Sequence, residues 1–171
     1  NGLLGTDDYF HQINFRYNMS RIYQINLEGK LGQKRSGAEF YSNRNYEIAY
    51  ASFKPTITYL KGSGVKIKLF FEQIEKQNVA DLGGESNLSK KFGAELNVRK
   101  VGKGSVTITG SYLTNSYVGA VNSPISFQML EGLQPGQNAL WEVNYQRTIA
   151  KYLQLNLRYN GRVSEDVPAI H

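Results

Sequence analysis

Residues Glu142–Arg162 read EVNYQRTIAKYLQLNLRYNGR, and their alternation decides the fold. Trp141, Val143 and Tyr145 lead, and after a break at Thr148–Lys151 the series resumes with Leu153, Leu155, Leu157 and Tyr159. The positions between hold Glu142, Asn144 and Gln146, then Gln154, Asn156, Arg158 and Asn160. A period of two predicts two strands, each with one apolar and one polar face, folded back on each other. Each arm runs about nine residues or more, against ~5–6 for an ordinary globular strand. Tyr145 and Tyr152 flank the turn, while Trp141 and Tyr159 stand farther up the arms. Apolar stretches bracketed by aromatics are the pattern of a strand that crosses a bilayer.

The rest of the chain repeats this unit. Asp8–Ser20 places His11, Ile13, Phe15, Tyr17 and Met19 on one side and Gln12, Asn14, Arg16 and Asn18 on the other. After a turn near Ser20–Arg21, Tyr23, Ile25, Leu27, Gly29 and Leu31 alternate with Gln24, Asn26, Glu28 and Lys30. Gly32–Arg44 reads as a polar loop. A third strand over 45–60 sets Ala49, Ala51, Phe53, Pro55, Ile57 and Tyr59 on its apolar face. Pro55 implies an edge position or a bulge there, since proline has no N–H for a ladder. Lys61–Gly64 is a turn. Val65, Ile67, Leu69 and Phe71 then oppose Lys66, Lys68, Phe70 and Glu72. Beyond a loop at 77–87, Phe92, Ala94, Leu96 and Val98 oppose Lys91, Glu95, Asn97 and Arg99. Val101–Gly104 turns the chain into a sixth strand, Val106, Ile108, Gly110 and Tyr112 against Thr107, Thr109 and Ser111. The 115–137 connection is the longest, with room for a short helix or plug-like segment at Ile125–Leu130 and a turn at Pro135–Gly136. After Arg162 the chain reads as loop.

The expectation is one all-β domain over 1–171: an antiparallel up-and-down meander of about eight strands, forming a transmembrane β-barrel or part of a larger one. Short turns near 20, 62, 102 and 150 alternate with long loops at 32–44, 77–87 and 115–137. Outer-membrane barrels keep short turns on the periplasmic side and long loops outside. By that parity the first strand starts outside and the eighth ends outside, which leaves the barrel short of at least one strand at each end.

Composition is consistent with this. The 171 residues are 40% hydrophobic with 17 Gly, 12 Tyr and 8 Phe, and mean hydropathy is −0.44. No run approaches the ~18 apolar residues of a transmembrane helix. A barrel escapes that test, because half of every strand faces a polar lumen. With no cysteine, neither disulfides nor thiolate metal sites hold the fold. The net charge of +6 comes from basic residues scattered through alternating strands. No block of like charge and no recognisable module points to nucleic acid.

Chemistry is sparse. Asp7, Asp8 and His11 could form one acid–base group and Ser164, Asp166 and His171 another, but both read as short-range coincidences in polar loops. Two histidines without clustered carboxylates offer no metal site, and the glycine pairs at 62–64, 82–84 and 102–104 precede no helix as a phosphate loop would. No catalytic residue, cofactor or metal is expected. The charges assigned to the lumen are Arg16, Glu28, Lys30, Lys66, Lys68, Glu72, Lys91, Glu95, Arg99, Glu142 and Arg158. They lean slightly basic, and pairing across strands would fill a narrow interior. The expected lipid-facing aromatic girdle is Tyr17, Tyr23, Tyr59, Tyr145 and Tyr152 near the short turns. Phe71, Phe92, Tyr112, Trp141 and Tyr159 form its far rim, about eight residues or roughly 20 Å away along tilted strands.

The stretch LEGLQPGQNALW (Leu130–Trp141), followed by the final hairpin and Gly161-Arg162-Val163-Ser164-Glu165, resembles the tail region of outer-membrane β-barrels of the Bacteroidota type. The resemblance covers about the last 45 residues. It implies a bacterial outer-membrane location, contact with lipid including lipopolysaccharide and with other envelope proteins, and one further strand ending in an aromatic. Three functions follow as expectations: a non-enzymatic structural or accessory subunit of an envelope complex, a porin-like barrel passing small solutes, and a soluble lipocalin-like barrel.

Overall fold

A computed structural model describes residues 4–38, 45–80, 83–150 and 153–165 of the chain. Eight strands follow one another: β1 (Leu4–Asn18), β2 (Tyr23–Ala38), β3 (Tyr46–Lys61), β4 (Val65–Asn78), β5 (Ser86–Lys100), β6 (Gly104–Val118), β7 (Gly136–Ala150) and β8 (Leu153–Ser164). One short helix, α1 (Pro124–Leu130), lies between β6 and β7. The strands form a single antiparallel sheet in sequence order. It is open: β1 and β8 are its two edges. The all-β meander is as the alternation requires. The strands, however, are longer than the alternation suggested. β2 continues to Ala38 through residues that read as loop, β4 and β5 run to Asn78 and from Ser86, and β8 reaches Ser164, just past which Glu165 N–H donates to Gln137 O at 2.9 Å. Ile125–Leu130 is helical, as expected from the sequence.

Each short turn has a local cause. Ser20 Oγ accepts from the N–H groups of Ile22 and Tyr23 at 3.2 and 3.1 Å, closing the β1–β2 turn. Gly62 (φ 60°) and Gly102 (φ 72°) take the left-handed backbone in the β3–β4 and β5–β6 turns. A register shift between Thr148 and Ala150 marks the β7–β8 turn. Pro55 corrects an expectation. It occupies a central strand, pairing with Leu27 of β2, and the β3–β4 ladder skips Lys54 and Pro55. The sheet accommodates the missing donor by a local gap in one ladder rather than by an edge.

Of the glycines paired with aromatics on a neighbouring strand, three lie under the partner's ring: Gly32 opposite Tyr50, Gly93 opposite Phe70 and Gly161 opposite Trp141. In each pair the ring lies over the glycine, in the space a Cβ would take. Large rings thereby pack flat on the sheet, and a residue with no side chain gains cross-strand cover.

Most apolar residues of the strands share the convex face, while Ile48, Phe70, Ile74, Leu113 and Leu140 stand on the concave one. Register rows on the convex face do not stay apolar from edge to edge. In the row Ile13–Gly29–Phe53–Gln73–Lys90–Thr114–Gln137, the first three positions are apolar or small and the rest polar. Toward the short turns the reverse holds: Val65–Val98–Val106–Tyr145–Leu157 stays apolar, and β8 adds Leu155 and Leu153. The band therefore climbs two to three rows from β1 to β8.

Gly93→Val is expected to force the Phe70 ring off its seat and destabilise the sheet by roughly 1–3 kcal/mol, the usual range for overpacking. Gly110→Ala, where nothing lies within 4 Å of the added carbon, is expected to be near neutral. Equilibrium unfolding of both variants checks the contrast.

Candidate functional site

Strand alternation puts all eleven charged residues assigned to the lumen on the concave face, and the structure adds Lys34, Lys54, Lys76 and Arg162 to the bases and Asp8 to the acids. Four of these groups pair across neighbouring strands: Lys68 with Glu95 at 2.8 Å and Arg158 with Glu142 at 3.0 Å. Lys54 reaches Glu72 at 3.5 Å. Lys30 instead lies over two rings, 3.9 Å from the centre of Phe10 and 5.2 Å from that of Tyr50. Lys54 and Lys91 both approach the ring of Phe70, at 5.0 and 5.9 Å. Half-exposed pairs of this kind are each worth no more than about 1 kcal/mol. Their joint effect is to hold a polar wall in one arrangement.

The 119–135 connection folds into the concavity at the long-loop end. Ser123 caps α1, its Oγ accepting from Ser126 N–H at 3.1 Å, and Pro124 fits the first turn, where no N–H partner is needed. Glu131 ends the helix in the left-handed region (φ 56°), and Gly132 follows at φ 74°. Met129, 1% exposed, packs on Tyr46 and Ile48 of β3, joined by Tyr117 and Ile125. This is the main apolar cluster on the concave side among the described residues.

Polar side chains at the rim fasten the segment. Asn87 donates to Met129 O at 3.2 Å; Asn115 and Asn138 donate to Gln134 O at 3.2 and 2.9 Å. Asn78 accepts from Glu47 N–H at 3.2 Å and donates to Glu85 at 2.8 Å. These four asparagines are buried and stand at the ends of β4, β5, β6 and β7. Lys76 donates to Met129 O at 3.1 Å and pairs with Glu131 at 2.7 Å. Lys34 donates to Gln128 at 3.0 Å and Arg162 to Gly132 O at 3.0 Å. One short segment is thus tied to strands from β2 to β8. Sequence reading found the helix but not the asparagines, which looked like ordinary polar alternation.

Beside α1 lies a cavity of about 570 Å³, lined by residues of β1 to β4 and of the helix. Asp8, Glu28, Lys30, Tyr50, Glu72 and Phe127 give it acids, a base and rings. Tyr50 donates to Asp8 at 3.0 Å. Phe127 stays 64% exposed on the side of α1 that faces this space.

The nine described girdle aromatics lie on the convex face; Tyr152 lies outside the described residues. Their spacing differs from two clean levels. Phe71, Phe92 and Tyr112 share one row and Tyr145 lies three rows below them, yet Trp141 shares a row with Tyr17, and Tyr159 with Tyr23 and Tyr59. The slant of the band explains the mixing. The grouping of Asp7, Asp8 and His11 does not assemble. Asp7 and His11 stand four residues apart on one extended strand, about 13 Å, and Asp8 faces the opposite side. Asp166 and His171 lie outside the described residues. Among the described residues no three His, Asp or Glu side chains gather as a metal site. No family model, curated protein or solved structure matches the chain.

Met129→Ala is expected to cost the docked segment roughly 2–4 kcal/mol, the range for emptying a buried apolar site. Hydrogen exchange should then rise in residues 124–132 ahead of β4–β6. For the concave wall, Glu95→Lys should destabilise and Lys68→Glu with Glu95→Lys should restore most of the loss. A double-mutant cycle measures the coupling, expected at about 0.5–1 kcal/mol.

Proposed function

We propose that this chain is a bilayer-spanning wall of a non-enzymatic outer-membrane β-barrel, acting as a structural or accessory part of a cell-envelope complex. The observation that carries the reading is the inverted placement of its residues: a charged, segment-filled concave face and an exposed apolar convex face. Phe15, Leu69, Phe92, Leu157 and Tyr159 are all more than half exposed there. Exposed apolar area of this extent marks a surface that something apolar covers. The climb of the band agrees. Two to three rows over seven strand spacings is an angle of roughly 25–30°, as strands tilted in a level apolar slab would give, somewhat below the ~35–45° of membrane barrels. Backbone groups in hydrocarbon must be paired, and a ladder of long antiparallel strands pairs them.

Outer-membrane lipid, including lipopolysaccharide, is the partner of the convex face in this reading, and other envelope proteins meet the long-loop end. The resemblance of the last 45 residues to barrels of the Bacteroidota type fits the same location. A second reading, a transport barrel passing small anions, is favoured by the surplus of bases on the concave wall. It requires an anion-selective reversal potential in planar bilayers.

Purification with and without detergent, with boiled and unboiled samples compared on one gel, tests the reading. Solubility only in detergent with a heat-shifted band is expected; a clean monomer in plain buffer would sink it. Leu69→Arg sharpens the test. On a lipid-facing surface the change costs ~2–4 kcal/mol near mid-depth; on a water-facing one it stays within about 0.5 kcal/mol. The larger value is expected from unfolding titrations in lipid.

A further inference from the structure

β1 and β8 end the sheet with one side of each unpaired, and open edges do not occur in hydrocarbon. The simplest closure would join β8 to β1. We propose instead that these eight strands are an arc of a barrel of at least about twelve. Further up-and-down strands of the same alternation, and not a second copy of this sheet, then pair with both edges. This rests on the bilayer reading above.

The first ground is space. With strands ~4.8 Å apart and tilted ~40°, eight strands close at a backbone radius of ~8 Å. Inward side chains occupy about 5 Å of that, half the ~10 Å separation of facing sheets. What remains is about 3 Å. A helix with its side chains needs a radius of about 5–6 Å. Yet Met129 of α1 packs on inward-facing residues of β3, and the segment is bonded from Lys34 on β2 to Arg162 on β8. A cavity of about 570 Å³ lies beside it as well. A twelve-stranded barrel, at a radius of ~12 Å, is the first even size that accommodates the helix with margin.

The second ground is charge. The unbroken apolar series on the convex face spans Ile13, Phe15 and Tyr17 of β1 with Met19 just past its end, and Leu153 to Val163 on β8. Setting the two bands level places Arg16 opposite Arg158, both on the concave face. Like charges directly opposite destabilise a pair of strands, and Glu142 already serves Arg158 at 3.0 Å. The objection holds equally for β8 of the same copy and β8 of another. A strand that fits β1 therefore carries a carboxylate or a neutral group at the level of Arg16.

The chain has no cysteine, so spin labels attach only where cysteines are introduced. Phe15→Cys with Leu157→Cys labels the two edges on the convex face. Phe15→Cys with Leu27→Cys labels direct neighbours and reports whether the sheet has formed. Pulsed electron–electron distance measurement is made in detergent and in lipid nanodiscs. The expected backbone separation of the edges is more than ~20 Å, the chord across a twelve-stranded barrel. A separation under ~10 Å within one chain overturns the proposal in favour of eight-stranded closure. The same short distance between singly labelled copies overturns it in favour of a dimer. Flotation of the sample with liposomes is scored separately, and failure there sinks the bilayer reading whatever the edges do.

Discussion

The structure depends on one constraint: the strands send most of their apolar residues to the convex side and most of their charged residues to the concave side. An ordinary domain does the opposite and draws its stability from the buried apolar side. Here the buried apolar cluster is small, essentially Tyr46, Ile48 and Met129 with Tyr117 and Ile125 against it. The backbone ladders and the cross-strand pairs hold the sheet in register. They do not replace a core. Burying one large apolar side chain contributes roughly 1.5–3 kcal/mol, and many such side chains stand on the convex face. The stability of this sheet is therefore set mostly by what lies against that face.

The concave side follows from the same constraint. A wall of charges can sit inside a curved sheet only if its members find partners, since unpaired charge is costly once water is restricted. Neighbouring strands supply some of these, as in Lys68–Glu95 and Arg158–Glu142. Rings supply others, as where Lys30 lies over Phe10 and Tyr50. The glycine at Gly32 is part of this arrangement, because it lets the Tyr50 ring lie flat beside Lys30 and donate to Asp8. Gly93 does the same for Phe70, which two lysines approach.

The period of two was enough to read the all-β meander, the strand order and the shared face of the eleven charged residues assigned to one side. Strand ends were not legible, for a definite reason. At the long-loop end both faces carry polar residues: Gln73, Glu75 and Gln77 stand on the convex side of β4, and Lys76 and Asn78 on the other. Alternation vanishes from the sequence there while the ladder continues, so Gly32–Ala38 and Asn115–Val118 read as loop. A short helix or plug-like segment was legible at Ile125–Leu130. Its docking was not, because Asn87, Asn115 and Asn138 announce nothing until the fold sets them around one segment. Pro55 misled because a gap in a single ladder leaves no trace in the sequence.

Those two-faced polar ends also order the molecule along its strands. In the bilayer reading the apolar band marks the hydrocarbon, and the short turns lie close to one edge of it. At the other edge β4, β5 and β6 continue for several residues with Gln73, Lys90 and Thr114 on the convex side, where lipid tails would exclude them. In that reading this stretch of wall stands in water. The buried asparagines, the docked helix and the cavity beside Phe127 all belong to this level. In that reading the wall is divided by solvent: a membrane-depth part whose concave charges pair internally, and a raised part that holds a folded-in segment. Whatever meets this protein from the long-loop side meets the second part first.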